Sequence, residues 1–218
     1  MDAARDLGLR IAYDNAYSEI TFGGVRSPSI LEIPGAREIA LEFHSLSKTL
    51  GIPGWRIGLA VGNQEMVDAL VALRSHSDSG APTPLQRATG VALTWYGSNG
   101  WPAEIHSHVR THEDRLSLLE NGLRELGWMT PTPRGTLYLW QRAPGDDATA
   151  FAERLLGTAG ILVTPGAAFG PRGRPYVRWA CTADAEDLRE AIERLRSSFP
   201  SPATAGPPET HAFPARSA

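Results

Sequence analysis

The sequence of 218 residues contains one cysteine, Cys181, and therefore cannot form an internal disulfide. A single unpaired cysteine fits a reducing compartment such as the cytoplasm. No apolar run approaches the roughly 20 residues that a membrane-spanning helix needs. The opening segment MDAARDLGLR also lacks the apolar centre of a signal peptide. We therefore expect a soluble, cytoplasmic protein.

Blocks of basic residues are absent as well. The formal net charge is −3, from 21 Lys and Arg against 24 Asp and Glu. Nothing in this balance predicts a nucleic-acid or membrane partner. Hydrophobic residues at 42% and charged residues at 21% are typical of a globular protein with a proper core.

Two nucleotide-binding motifs are missing. Without a GxGxxG segment, a dinucleotide-binding fold has no support. A phosphate loop needs glycines six and one residues before its lysine, where Lys48 has Glu42 and Ser47. Lys48 therefore needs another explanation.

The first half of the chain alternates strand-like and helix-like segments. Apolar runs at 9–17, 37–45 and 56–63 predict strands buried on both faces. Helical spacing follows at 64–74 and 84–97, the second ending at its glycine. This alternation predicts an α/β architecture.

In the second half, a long helical pattern is followed by shorter segments that predict both strands and helices. That helix carries an apolar stripe of Ile105, Val109, Leu116, Leu119, Leu123 and Leu126. Strands are expected at 135–140, 160–166 and 176–182, and helices at 147–157 and 183–199, the latter capped by Thr182. The expected domains are a partial large domain (1–100), a connecting helix (101–127), a small α+β domain (128–199) and a disordered, proline-rich tail (200–218).

Lys48 has neighbours that suit a phosphate group. Ser45 and Ser47 offer hydroxyl donors, and Arg56 follows a Gly-Ile-Pro-Gly turn that can fold the chain back. Hydroxyls and a guanidinium are the donors that a phosphate monoester binds.

An acid and a phenol lie at the carboxyl end of the first predicted strand, where open α/β sheets bind their ligands. These are Asp14, which we expect to be buried, and Tyr17. Together with the Lys48 amine and the phosphate donors they meet the needs of pyridoxal phosphate.

Three segments, AYDNAYSEITFGG, LEFHSLSKTLGIPGWRIGLAVGN and YVRWACT, resemble the pyridoxal-phosphate-dependent aminotransferases of class I/II, fold type I. The resemblance covers residues 1–199. The segments DNAYSE, IPGAREIALEFHSLSKT and SDSGAPTPLQRA look most like the LL-diaminopimelate aminotransferase-like branch. The implied fold is the C-terminal part of the cofactor-binding large domain, followed by the small domain.

The resemblance implies a role for each candidate residue. Lys48 would bind the cofactor covalently and move the substrate's Cα proton. Asp14 would pair with the pyridine nitrogen, and Tyr17 would donate to the ring 3′ oxygen. Ser45 and Arg56, with Ser47 as a weaker candidate, would bind the phosphate. Arg178 would bind the substrate α-carboxylate.

The implied reaction is amino transfer between an amino acid and a 2-oxo acid such as 2-oxoglutarate, in a homodimer and in the diaminopimelate/lysine pathway. Family chains are considerably longer, and residue 1 corresponds to a point just past their Asn-Pro-Thr-Gly segment. We therefore expect this chain alone to be weak or inactive. Three alternatives stay open: a β-lyase or synthase of the same fold, a non-catalytic binding module, and an inactive fragment.

Other reactive side chains are interpreted as structural. His106, His108 and His112 lie on the long helix, and the last two share a face, but no third ligand is evident. We expect a solvated helix face and no metal site. Cys181 has no activating base nearby in sequence and is expected to be inert.

Overall fold

The structure is a computed structural model that describes residues 1–97, 100–145 and 147–199. The tail expected at 200–218 lies outside these ranges. Within them, no helix is both long and apolar enough to span a bilayer.

The chain divides by its internal contacts into two compact units. Unit 1 comprises Met1–Asp114 and Pro133–Leu137. Unit 2 comprises Arg115–Thr132 and the described residues from Tyr138 onward. Strands and helices occur in both, which confirms the α/β class.

Unit 1 is built around a three-stranded sheet. Its strands are β1 (Ile11–Asp14), β2 (Ala40–Ser45) and β3 (Gly58–Gly62). The order is β1-β2-β3, with β1 parallel and β3 antiparallel to β2. The helices are α1 (Asp2–Asp6), α2 (Leu46–Thr49), α3 (Gln64–Ser77), α4 (Thr83–Leu93) and the first part of α5 (Ala103–Glu125).

The strands of unit 1 are shorter and more exposed than the sequence predicts. β1 ends at Asp14 because the chain turns there, with the Ser18 amide donating to the Asn15 carbonyl at 3.1 Å. No residue of β1 is buried, since its residues alternate between half-buried and exposed, and β3 leaves Val61 exposed. Burial on both faces is therefore wrong for these two strands, each of which pairs with only one other strand among the described residues.

Helix α5 confirms the apolar stripe. Ile105, Val109, Leu116, Leu119 and Leu123 are all buried, as is Leu126 just past its end. This helix contributes residues to both units.

Unit 2 contains a second, antiparallel sheet. Its strands are β4 (Tyr138–Arg142), β5 (Thr164–Pro165) and β6 (Tyr176–Ala180), in the order β4-β6-β5. The helices that follow β4 and β6 are α6 (Ala148–Ala159) and α7 (Ala185–Ser198). The side chain of Asp147 caps α6 by accepting from two backbone amides, and Gly160 ends it in the left-handed conformation.

The expected cap of α7 is wrong. The helix begins at Ala185, so that Asp184 and not Thr182 is the cap residue. Arg115 explains the later start, because its guanidinium binds the Thr182 carbonyl at 3.3 Å and forms an ion pair with Asp184.

Candidate active site

The carboxyl ends of β1 and β2 lie side by side at one edge of the unit 1 sheet. Asp14, the last residue of β1, is in register with Phe43 of β2, and Ser45 ends β2 shortly afterwards. The Asn15 amide extends the ladder by donating to the Phe43 carbonyl at 2.9 Å. The parallel pairing thus brings Asp14 and Ser45 to the same edge.

The segment after β2 returns to this edge. It passes through α2, which carries Ser47 and Lys48, and re-enters the sheet where Gly58 pairs with Ser45. Gly58 is required there, because a Cβ would lie 2.5 Å from the His44 carbonyl oxygen. Arg56 therefore lies within two residues of the strand position opposite Ser45.

Arg56 adopts an unusual backbone conformation. Its φ of 52° lies in the left-handed region, directly after the short 3₁₀ helix Pro53–Trp55. A non-glycine residue pays for this conformation, and such strain concentrates at functional sites. The Arg56 side chain is exposed, and its guanidinium donates to the Pro53 carbonyl at 3.1 Å.

Lys48 and Tyr17 come together although 31 positions separate them in the sequence. The Lys48 Nζ lies 5.6 Å from the centroid of the Tyr17 ring. The Lys48 side chain is half-buried, and its backbone carbonyl accepts a hydrogen bond of 2.9 Å from Nε2 of His108 on α5. Lys48 is also the only lysine among the 218 residues.

The expectation of a solvated histidine face is therefore wrong for two of the three histidines. His108 is half-buried against Lys48 and Gly51, and His112 is buried, with the two rings in edge contact at 4.5 Å. Only His106 is exposed. In the described part of the chain, no three His, Cys, Asp or Glu side chains are grouped to hold a metal.

Asp14 differs from the expectation of a buried acid, because its side chain is exposed at the end of β1. A cavity of about 500 Å³ opens beside it and is lined also by Tyr17, Arg134 and Thr136. Its volume is in the range of small-molecule sites.

Sequence reasoning missed a buried polar network behind this edge. Glu42, in the middle of β2, is fully buried and hydrogen-bonded to Asn15 at 2.7 Å, and it also contacts Ser29 and His44. Burial alone would raise the pKa of Glu42, but its hydrogen bonds and His44 outweigh burial and lower the pKa below 4.5. The only signal in the sequence is a glutamate within an apolar run.

Arg178 lies in unit 2, in the middle of β6. Its guanidinium stacks 4.2 Å from the Tyr138 ring centroid and 4.8 Å from that of Phe169. Its Nε is buried and has no hydrogen-bond partner among the described residues. A planar guanidinium held by aromatic rings with a spare donor suits a carboxylate ligand.

Cys181 follows β6 and is completely buried. Burial raises the pKa of this thiol to about 12, against a smaller opposite effect of Arg115. The thiol stays protonated at neutral pH, which agrees with the inert cysteine expected from the sequence.

Comparison with known proteins decides the family. The sequence pattern of "Aminotransferase class I and II" matches residues 1–195. The chain belongs to this family. Its members depend on pyridoxal phosphate, and the family resemblance expected from the sequence is confirmed.

Relatives of this aminotransferase-family chain include several LL-diaminopimelate aminotransferases. That of Desulforudis audaxviator is 44% identical over 197 residues, which cover 90% of this chain and 49% of the relative. Glutamate-pyruvate aminotransferase AlaC of Escherichia coli is 36% identical over 200 residues, covering 90% of this chain and 47% of the relative. The chain thus spans about half the length of the curated relatives it matches.

Solved structures agree with this result. The apo-BacF structure from Bacillus subtilis has a TM-score of 0.82 at 31% identity, covering 91% of this chain and 50% of that one. A probable N-succinyldiaminopimelate aminotransferase from Thermus thermophilus has a TM-score of 0.79 at 32% identity, covering 90% and 52%. These matches confirm the fold of the fold-type-I aminotransferases.

The donors at the sheet edge fit the family's cofactor. An amine, a phenol, a carboxylate, hydroxyls and a guanidinium are the groups that a pyridine ring bearing an aldehyde, a hydroxyl and a phosphate requires. The distance of 5.6 Å between the Lys48 Nζ and the Tyr17 ring centroid brings two of them close together.

Proposed function

We propose that this chain carries the lysine-bearing part of a pyridoxal-phosphate-dependent aminotransferase site. The observation that carries the proposal is twofold: β1 and β2 bring Asp14 and Ser45 to one sheet edge, with Arg56 two residues from the position opposite Ser45, and the Lys48 Nζ lies 5.6 Å from the Tyr17 ring centroid. When bound, the cofactor supplies an electron sink that labilises the bonds at the substrate Cα.

Lys48, Asp14 and Tyr17 have different roles in the proposed reaction. Lys48 Nζ holds the cofactor and afterwards takes and returns the substrate Cα proton. The Asp14 carboxylate keeps a proton on the pyridine nitrogen, and the Tyr17 hydroxyl donates to the ring oxygen. In support, Asp14 ends β1 at the edge where β2 also ends, and the Tyr17 ring lies beside the lysine.

Four further groups are assigned to bind anions. Ser45 and Arg56 are assigned to the cofactor phosphate, as is Ser47, which is itself buried and thus a secondary donor. Arg178 is assigned to the substrate α-carboxylate, supported by its aromatic packing and unpartnered Nε.

The complete enzyme is proposed to transfer an amino group between an amino acid and a 2-oxo acid such as 2-oxoglutarate. Diaminopimelate is the favoured amino acid, which places the enzyme in lysine biosynthesis, because several relatives at 38–44% identity are LL-diaminopimelate aminotransferases. We further propose a homodimer, on the family resemblance, and a cytoplasmic location, on the single buried cysteine.

The chain by itself is expected to transaminate weakly or not at all, since it spans only about half of its relatives. Glutamate formation would be measured with LL-diaminopimelate and 2-oxoglutarate, for the chain alone and after adding a separately produced N-terminal half of an LL-diaminopimelate aminotransferase. We expect turnover only in the mixture, and loss of it with Lys48→Ala.

Two results would contradict this proposal. Robust turnover by the isolated chain would show that the remaining half is not needed. Release of pyruvate and ammonia from an amino acid without any 2-oxo acceptor would favour a β-lyase of the same fold.

A further inference from the structure

A fully buried carboxylate lies near the candidate site, on β2, where its register partner is Tyr13, the residue before Asp14. Glu42 is on β2, three residues before Ser45, and none of its surface is exposed. Burying a carboxylate is costly unless it is well hydrogen-bonded. Because burial of the Glu42 carboxylate costs free energy, we expect this residue either to stabilise the fold or to act at the neighbouring site.

Glu42 is held by four donors. Its Oε1 accepts from Asn15 Nδ2 at 2.7 Å and lies 3.1 Å from His44 Nε2. Its Oε2 accepts from the Ser29 hydroxyl and from the Ile30 amide, the latter at 3.1 Å. All these groups belong to unit 1.

The partners of Glu42 lead to the residues of the site. Asn15 directly follows Asp14, and its side chain is buried and bonded on its other side to the Ser27 hydroxyl at 3.0 Å. His44 Nδ1 is hydrogen-bonded to the Ser18 hydroxyl at 3.2 Å, and Ser18 directly follows Tyr17.

The turn that carries Tyr17 is therefore connected to the Glu42 carboxylate at both ends, directly by Asn15 and through His44 by Ser18. The backbone closes this turn, with the Ser18 amide donating to the Asn15 carbonyl at 3.1 Å. Because Glu42 belongs to β2, which ends at Ser45 and is followed directly by the helix α2 that carries Lys48, the network fixes the phenol relative to the amine.

We infer that Glu42 is a positioning residue: through Asn15 on one side and the His44–Ser18 pair on the other, it fixes Asp14 and Tyr17 relative to Lys48. The part of this inference that concerns the bound cofactor rests on the proposed function. The part that concerns the position of Tyr17 is a property of the chain itself.

The first test needs no cofactor. Tyrosine rings labelled with ¹³C give one signal for each of the five tyrosines, and Tyr17→Phe identifies the signal of Tyr17. In Glu42→Gln an amide replaces the acceptor of four donors, and we expect the Tyr17 signal to shift or broaden. The signals of Tyr138 and Tyr176, which belong to unit 2, should stay unchanged.

Two further variants complete this test. Glu65→Gln is the matched control, because Glu65 is an exposed carboxylate of the same unit that pairs with Arg10. Ser18→Ala removes only the hydroxyl that contacts His44, and it serves if Glu42→Gln does not fold. A Tyr17 signal that stays unchanged in the folded network variant, as in Glu65→Gln, overturns the inference.

The second test uses the cofactor-loaded chain and its visible absorption. We expect Glu42→Gln to change the shape of the Lys48-dependent band in the same direction as Tyr17→Phe, and the double variant to add little. Equal and additive changes would mean that Glu42 does not act through Tyr17. Absence of any Lys48-dependent band in the unaltered chain would refute the proposed function instead, and the ring signals would still decide the position of Tyr17.

Discussion

Lys48 is the residue on which the account depends, and its surroundings were only partly foreseeable. The hydroxyls before it and Arg56 after it are local, and the sequence predicted them as one group. The contact with Tyr17, the hydrogen bond from His108 60 residues away and the Asn15–Glu42 pair 27 residues apart are made by tertiary packing. No periodicity or spacing encodes such pairs, which is why the sequence pattern predicts neither the burial of His108 and His112 nor the network of Glu42.

Glu42 should also make the free energy of unfolding depend on pH. The pKa of Glu42 in the folded chain is below its ordinary value of 4.5. An ionised Glu42 therefore stabilises the fold above about that pH, and this contribution is lost as the pH falls through the lowered pKa.

We expect Glu42→Gln to lower the free energy of unfolding by about 1–3 kcal/mol at pH 7, because buried donors lose their acceptor. The difference from the unaltered chain should shrink as the pH falls below 4.5. Urea unfolding at a series of pH values measures it, with Glu65→Gln as the control. A difference that stays constant down to the acid limit would contradict the account.

At the scale of elements, helices followed the sequence more closely than strands. The stripe on α5 was predicted residue by residue, because a long 3.6-residue period is a strong signal. The predicted strands are longer than the observed ones, because an apolar run does not show where the pairing between strands stops. Turns after Asp14 and in the 160–166 run shorten them.

Two helical glycines should respond in opposite ways to the same substitution. A Cβ on Gly122 of α5 would lie 2.7 Å from Ile192 Cδ1 of α7, within unit 2, whereas one on Gly157 of α6 meets nothing within 4 Å. Gly157→Ala should stabilise the chain by about 0.5–1 kcal/mol, through helix propensity alone. Gly122→Ala should destabilise it, because overpacking costs about 1–3 kcal/mol and exceeds that gain.

Thermal and urea unfolding of both variants measure this difference in stability. Each variant is the control for the other, because both substitutions add the same methyl group to a helix. Equal stabilisation by both would show that α5 and α7 do not approach each other closely at Gly122.

At the scale of the whole molecule, the chain spans about half of its relatives, and the surface of unit 1 is consistent with further contacts. Helix α3 has no buried residue over its 14 positions, and Val71 and Leu73 are more than half exposed. The family and fold class followed from a few motifs. These motifs do not predict how Lys48 and the other candidate cofactor-binding residues are arranged in space.

The assignment of Lys48 to the cofactor is tested by the absorption spectrum of the purified chain with pyridoxal phosphate, before and after borohydride, beside that of Lys48→Ala. Because Lys48 is the only lysine, peptide mass spectrometry needs to separate it only from the Met1 amine. We expect a visible band and a reduced cofactor on the Lys48 peptide, both absent in the variant. An unlabelled Lys48, or an identical band in Lys48→Ala, would contradict this assignment.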